Sequence, residues 1–174
     1  MKFLVVIDMQ NDFITGSLAN KMADAAVDKI INYMKDFDGK IVFTQDTHFE
    51  NYLDTQEGKN LPVEHCIFNT WGHRIDERLM NAMDSRCEVI RKTTFGAKPQ
   101  MWRKIFRNHR NPALEIEICG TLVDICVISN ALMLKALYPE AKIKLLTNMC
   151  GYRDMQDMLA ATTIAKACQI EIVY

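Results

Sequence analysis

The chain has almost no net charge: across 174 residues, 21 Lys and Arg stand against 22 Asp and Glu, a formal −1 at pH 7. That balance removes the electrostatic case for a nucleic acid or an anionic membrane surface as partner. No stretch reaches the roughly 18–20 apolar residues of a membrane span, and there is no internal repeat or low-complexity tract. A charged start, long apolar run and small-residue cleavage site are also missing at the N-terminus, where Met1 to Asp8 reads at once as a strand. A cytoplasmic location is therefore expected. The six cysteines include no C-x-x-C pair, which argues against a structural zinc ribbon. Their spread along a chain of this length argues against a disulfide framework.

What remains is a globular composition, 49% hydrophobic, long enough for one domain over residues 1–174 with a substantial core. Short apolar runs predict strands at Lys2–Ile7, Ile41–Thr44, Cys87–Arg91, Leu114–Cys119, Ile143–Leu146 and Ile170–Val173. Between them, Ala23, Ala26, Val27, Ile30, Ile31 and Met34 recur at helical spacing until Asp38-Gly39. Further helices are expected at Arg74–Met83, Gln100–Asn108, Asp124–Leu137 and Asp154–Cys168. Continuous apolar strands are covered on both faces. The alternation thus predicts a three-layer α/β/α domain around a six-stranded, mostly parallel sheet of Rossmann type. Residues 46–72 show little periodicity, and a loop of that length in a compact domain is usually functional.

Ligands of open parallel sheets bind beyond the carboxyl ends of the strands. Asp8, Asp46, Lys92 and Cys126 each fall at or past such an end. Cys126 follows the Gly120 junction into the first turn of a helix, where unpaired N–H groups favour a thiolate. A thiol nucleophile needs a base and a cation. Asp8 can take the proton, Lys92 can hold the charges, and the helix start can donate to a tetrahedral oxyanion.

Several motifs carry a family likeness. They are Val5-Val6-Ile7-Asp8-Met9-Gln10-Asn11-Asp12-Phe13 with Gly16-Ser17-Leu18, Thr44-Gln45-Asp46-Thr47-His48, and Leu61-Pro62-Val63-Glu64-His65-Cys66. Lys92-Thr93-Thr94-Phe95-Gly96 and Gly120-Thr121-Leu122-Val123-Asp124-Ile125-Cys126-Val127 complete the series. In order, and over the whole chain, this pattern resembles the isochorismatase-like cysteine hydrolases, and within them the nicotinamidase group. The resemblance implies the isochorismatase-like fold and a catalytic triad of Asp8, Lys92 and Cys126. It also implies a divalent metal, zinc first and manganese or iron as alternatives, held by Asp46, His48 and His65. Asp46 and His48, two apart, would share one face of an extended chain. Two imidazoles and a carboxylate leave positions open for water and a substrate nitrogen, as catalytic metal sites do. Glu57, with Glu64 behind it, is the candidate for a further acidic ligand.

The likeness further implies that Phe13 packs on the substrate ring, where it could equally anchor the loop, and offers Trp71 as a pocket wall, with ordinary packing as the stronger alternative. It places a cis peptide between Leu122 and Val123, with the N–H groups of Val123 and Cys126 as oxyanion donors. The implied reaction is hydrolysis of a small aromatic carboxamide, nicotinamide to nicotinate and ammonia, through a thioester, with a place in NAD salvage. Another amide, carbamoyl or ureido substrate, or a silent binding protein on the same fold, stays open. Members commonly form homo-oligomers, so a dimer or tetramer is expected. The chain departs from the family pattern at Phe68-Asn69-Thr70-Trp71-Gly72, at Leu122-Val123, where a small residue and a Thr are usual, and at Asn148-Met149-Cys150-Gly151.

Overall fold

Lys2–Ile7 forms the first strand, β1, buried from Phe3 onward. In the computed structural model, which describes residues 1–107 and 114–174, a short helix α1 (Asn11–Ile14) and a long one, α2 (Lys21–Asp36), follow it. The Asn20 side chain accepts from the Ala23 N–H and caps α2. Ala23, Ala26, Val27, Ile30 and Met34 then turn one face of that helix into the core. β2 (Lys40–Asp46), α3 (Gln56–Asn60), α4 (Glu77–Ala82), β3 (Cys87–Lys92) and α5 (Pro99–Ile105) complete the first half. β4 (Glu115–Gly120) leads into a π-helical turn at Val123–Val127 and then α6 (Ile128–Leu137). β5 (Lys142–Cys150), α7 (Met155–Ala167) and β6 (Glu171–Val173) close the chain.

The strands lie in the order β3-β2-β1-β4-β5-β6. The sheet expected to be mostly parallel is parallel at every strand pairing among the described residues. Chain direction across the sheet reverses between β1 and β4, so their carboxyl ends open a crevice at the topological switch point. Gly120 ends β4 there with φ +116, and a Cβ on it would lie 2.1 Å from the Ile7 carbonyl oxygen. Only glycine permits so close an approach of the two strand ends.

Several boundaries differ from expectation. β2 and β3 run on to Asp46 and Lys92, and β5 on to Cys150. Polar strand ends have low strand propensity, but here neighbouring strands supply the ladder partners. The helix expected from Arg74 starts at Glu77, because the Asp76 side chain accepts from the Arg78 N–H and caps it. Asn108, the expected end of the helix from Gln100, lies outside the described residues. The aperiodic 46–72 segment contains a 3₁₀ turn at Tyr52–Asp54 and α3. Met158 faces the core, whereas Met155 is exposed. All six cysteines are free.

Candidate active site

Three strand ends deliver the charged groups Asp8, Asp46 and Lys92, and the turn after a fourth delivers Cys126. Lys92, at the end of β3 and 1% exposed, places Nζ 2.7 Å from Asp8 Oδ2, 3.1 Å from Asp46 Oδ1 and 3.7 Å from Cys126 Sγ. Asp8 sits just past β1 with φ 50, a left-handed conformation rare for a side-chain-bearing residue and typical of working sites. Thr44 holds it there: its hydroxyl donates to Asp8 Oδ1 at 2.6 Å and accepts from the Asp8 N–H at 3.1 Å. Cys126 is 7% exposed. Its turn is widened by a bond from the Val127 N–H back five residues to the Leu122 carbonyl at 3.1 Å. Such π turns recur at functional sites.

Burial dominates the electrostatics. It raises Asp8 above the ordinary carboxylate value despite the Lys92 charge and the Lys92 and Thr44 hydrogen bonds. It also pushes the Cys126 thiol well up, against the pull of Lys92. The helix start was expected to favour a resting thiolate; desolvation wins instead, and the thiol is protonated until a base takes its proton. Burial would lower Lys92, but Asp8, Cys126 and Asp46 outweigh it and hold the ammonium charged.

Beside this group lie Asp46, His48, Glu57 and His65, whose ligand atoms all fall within 4.8 Å of one another. His48 Nε2 is 3.1 Å from Asp46 Oδ2 and 3.6 Å from Glu57 Oε1. His65 Nδ1 lies 2.8 Å from the Val63 carbonyl, which fixes the proton on Nδ1 and leaves Nε2 as a ligand aimed at Glu57, 3.9 Å away. Burial would raise Asp46, but the His48 hydrogen bond and the Lys92 charge outweigh it and hold the carboxyl down at about 2. Two neutral-capable imidazoles and two carboxylates on so small a span fit a divalent cation of the zinc, manganese or iron class. Glu57 joins this set, whereas Glu64 is exposed and outside it.

An apolar cavity of about 360 Å³ opens onto both groups, with Phe13, Leu18, Phe95, Leu122, Ile125 and Cys126 among its lining. Phe13 lines the cavity, its ring 5.5 Å from that of His65. Trp71 does not line the cavity: it is 55% exposed and its carbonyl accepts from the Asn11 side chain at 2.8 Å. It lies in the stretch of residues 68–72, where the chain departs from the family pattern. The cis peptide lies one residue earlier than expected, between Thr121 and Leu122. Val123 is likewise not available as an oxyanion donor, since its N–H already donates to the Gly151 carbonyl at 2.9 Å. Of the two expected donors, Cys126 N–H is the one left.

Other residues hold the site without having been singled out from the sequence. Gln10 brackets Asp46, accepting from its N–H at 2.7 Å and donating to its carbonyl at 2.9 Å. Asp12 accepts from the Cys66 N–H at 2.8 Å and so seats the His65 segment. Their signal was position alone: polar side chains directly after a fully apolar strand, inside a buried loop start.

Comparisons with known proteins agree with this fold. A family profile described as the isochorismatase domain matches residues 2–172. The nicotinamidase of Saccharomyces cerevisiae is 28% identical over 176 residues, covering 76% of this chain and 80% of that protein. The crystal structure of the pyrazinamidase of Pyrococcus horikoshii in complex with zinc superposes with a TM-score of 0.83 at 26% identity, over 99% of this chain and 98% of that one. The yeast nicotinamidase structure shares the fold, with a TM-score of 0.84 at 24% identity over 99% of each chain. With its profile matched almost end to end, the chain belongs to the isochorismatase family.

Proposed function

We propose that this protein is an amidase that hydrolyses a small aromatic carboxamide, nicotinamide first, to the carboxylic acid and ammonia. The reaction class is hydrolysis of an amide C–N bond, the class of the similar nicotinamidases. One observation carries the reading: the Lys92 ammonium joins Asp8 at 2.7 Å to the Cys126 thiol at 3.7 Å beneath an apolar cavity. Phe13, Leu18 and Leu122 suit the faces of a planar ring, and the cavity of about 360 Å³ is of small-molecule size. Arg153 at the rim is already matched by Asp124 and by Asp157 at 2.9 Å, so it makes no demand for an anionic substrate.

The chemistry follows from the charges. Asp8, ionised, takes the Cys126 proton as sulfur attacks the carboxamide carbon. The Cys126 N–H is the donor expected to meet the developing oxyanion. Collapse returns the proton from Asp8 to nitrogen and ammonia leaves. Water then adds to the thioester with Asp8 as base, releasing the acid and restoring the thiol. Lys92 stays charged throughout and balances Asp8. Asp46, His48, Glu57 and His65 are the residues that would hold a divalent cation, zinc first. When bound, that cation supplies Lewis-acid charge able to fix a ring nitrogen or a water beside the carboxamide.

Ammonia release from nicotinamide tests this, with Cys126→Ala as the control. The wild type is expected to turn over, and the variant to lose activity by at least about a thousandfold. Equal rates would remove Cys126 from the chemistry. A wild type inert to nicotinamide but active on a ureido compound would move the substrate class.

A further inference from the structure

Asn130 is fully buried, third in α6 and four residues past the nucleophile. Its side chain bonds only to main-chain atoms. Oδ1 accepts from the Ala97 N–H at 2.8 Å, and Nδ2 donates to the Phe95 carbonyl at 3.2 Å and the Cys126 carbonyl at 2.7 Å. Both amide donors are therefore used, and the oxygen as well. One side chain thus ties the helix of Cys126 to the segment that leaves β3 immediately after Lys92.

That segment forms part of the cavity wall. Phe95 lines the cavity while remaining 48% exposed, so its ring borders open space and is not wedged in the core. Ala97 beside it is fully buried. Between them Gly96 lies close on α6: a Cβ there would stand 3.3 Å from the Ser129 carbonyl oxygen. The backbone of residues 95–97 is thus laid against the helix and pinned there by an amide. The charged side of the site has separate supports, Thr44 on Asp8 and Gln10 on Asp46.

We infer that Asn130 is a positioning residue: it clasps the Phe95–Ala97 segment to the helix of the nucleophile and so sets where the Phe95 ring stands over the substrate pocket. The clasp acts on substrate binding, because two of its three bonds end on the wall and the third on the Cys126 carbonyl within its own helix, none on the Cys126 thiol or on the Asp8 and Lys92 side chains. It is a property of the fold, and only its kinetic consequence rests on the amidase reading. Losing it leaves the Ala97 N–H and the Phe95 carbonyl without this partner, so the segment lifts towards water and the ring loses its place.

The test combines a mutant cycle with hydrogen exchange. Asn130→Ala is expected to raise KM for nicotinamide about tenfold with kcat within about threefold of wild type. In Phe95→Ala the further Asn130→Ala change is expected to add less than about twofold, since the ring it positions is gone. Backbone exchange in residues 93–97 is expected to speed up in Asn130→Ala, with the central strands unchanged. Gly96→Ala presses on the same contact from the other side and is expected to give the same KM-weighted loss, should Asn130→Ala fold poorly. Additive effects of the two substitutions, or a loss confined to kcat, would overturn the inference. So would unchanged exchange at residues 93–97, a readout that stands even if the wild type ignores nicotinamide and the amidase reading fails.

Discussion

At the scale of single residues, Asp8 and Cys126 both hold their protons more tightly than in water, and for one reason, the loss of solvent around them. A thiol kept protonated needs a base of raised proton affinity close by, and Asp8 is that group. Its ionisation governs the free enzyme, so the acid limb of kcat/KM is expected above the ordinary carboxylate value of 3.8. The Thr44 hydroxyl, 2.6 Å from Asp8 Oδ1, bonds to the charged form and pulls that limb down. In Thr44→Val the limb is expected to move to higher pH; a profile that stays put would deny Thr44 this part.

Lys92 makes a second residue-scale prediction. In Lys92→Met the Asp8 carboxylate, fully buried, faces Asp46 with no cation between them. Leaving a buried charge unpaired costs about 3–5 kcal/mol. The Asp8 pKa would then rise further above its unfolded value. A raised folded-state pKa gives stability that is present below the unfolded value and lost as pH climbs through the folded one. The deficit against wild type should therefore be small near pH 4 and grow towards pH 8, read from urea midpoints at the two ends. A deficit independent of pH would place the damage in packing, not charge.

Among the elements, β1 and β4 decide most, because their ends meet at Gly120. Placing a Cβ 2.1 Å from the Ile7 carbonyl at φ +116 leaves no relaxed solution. Gly120→Ala is expected to cost well over about 1 kcal/mol of stability, and to cut activity by shifting the Cys126 turn. A melt unchanged from wild type would contradict this. The same pair of strands marks what the sequence could reveal. Phe3 to Ile7 is apolar without interruption, which identifies a buried parallel strand, and the polar Asp8 after it identifies the working edge; in the second strand Glu117 interrupts Ile116, Ile118 and Cys119, and Gly120 marks the end. Asp8, Asp46 and Lys92 could be placed at strand ends in that way, whereas His48 and His65 were suggested by the family resemblance. Hydrogen bonding fixed by the folded backbone was not legible. The Val123 N–H is spent on Gly151, a residue 28 positions away, and only the assembled sheet brings them together. Trp71 failed for the opposite reason: a large aromatic beside metal-ligand motifs suggests a pocket wall, yet the turn at residues 67–72 faces it to water. Desolvation of Cys126 was hidden as well, since a local helix start says nothing about how much protein covers it.

For the molecule as a whole, the four metal-ligand candidates join parts of very different stability. Asp46 ends a central strand, paired with Lys92 of β3 and bracketed by Gln10, while His48, Glu57 and His65 ride on the segment from residue 47 to residue 66, with one short helix and a 3₁₀ turn of its own. Glu57 stands 3.6 and 3.9 Å from the two imidazoles, and His48 3.1 Å from Asp46. An ion held by all four would fasten the segment to the sheet, and at a hundred times its dissociation constant would add about 2.7 kcal/mol to folding. That gain should be unevenly spread, because the sheet opens only globally whereas the segment can open alone. Chelator-treated protein is therefore expected to exchange its amides fastest between residues 49 and 66. Added zinc should slow exchange there more than in β1 or β4, and raise the melting temperature. His65→Ala should abolish the zinc response and leave the sheet exchange as it was. Slowing spread evenly over the chain, or none in residues 49–66, would mean that these four side chains do not share a cation.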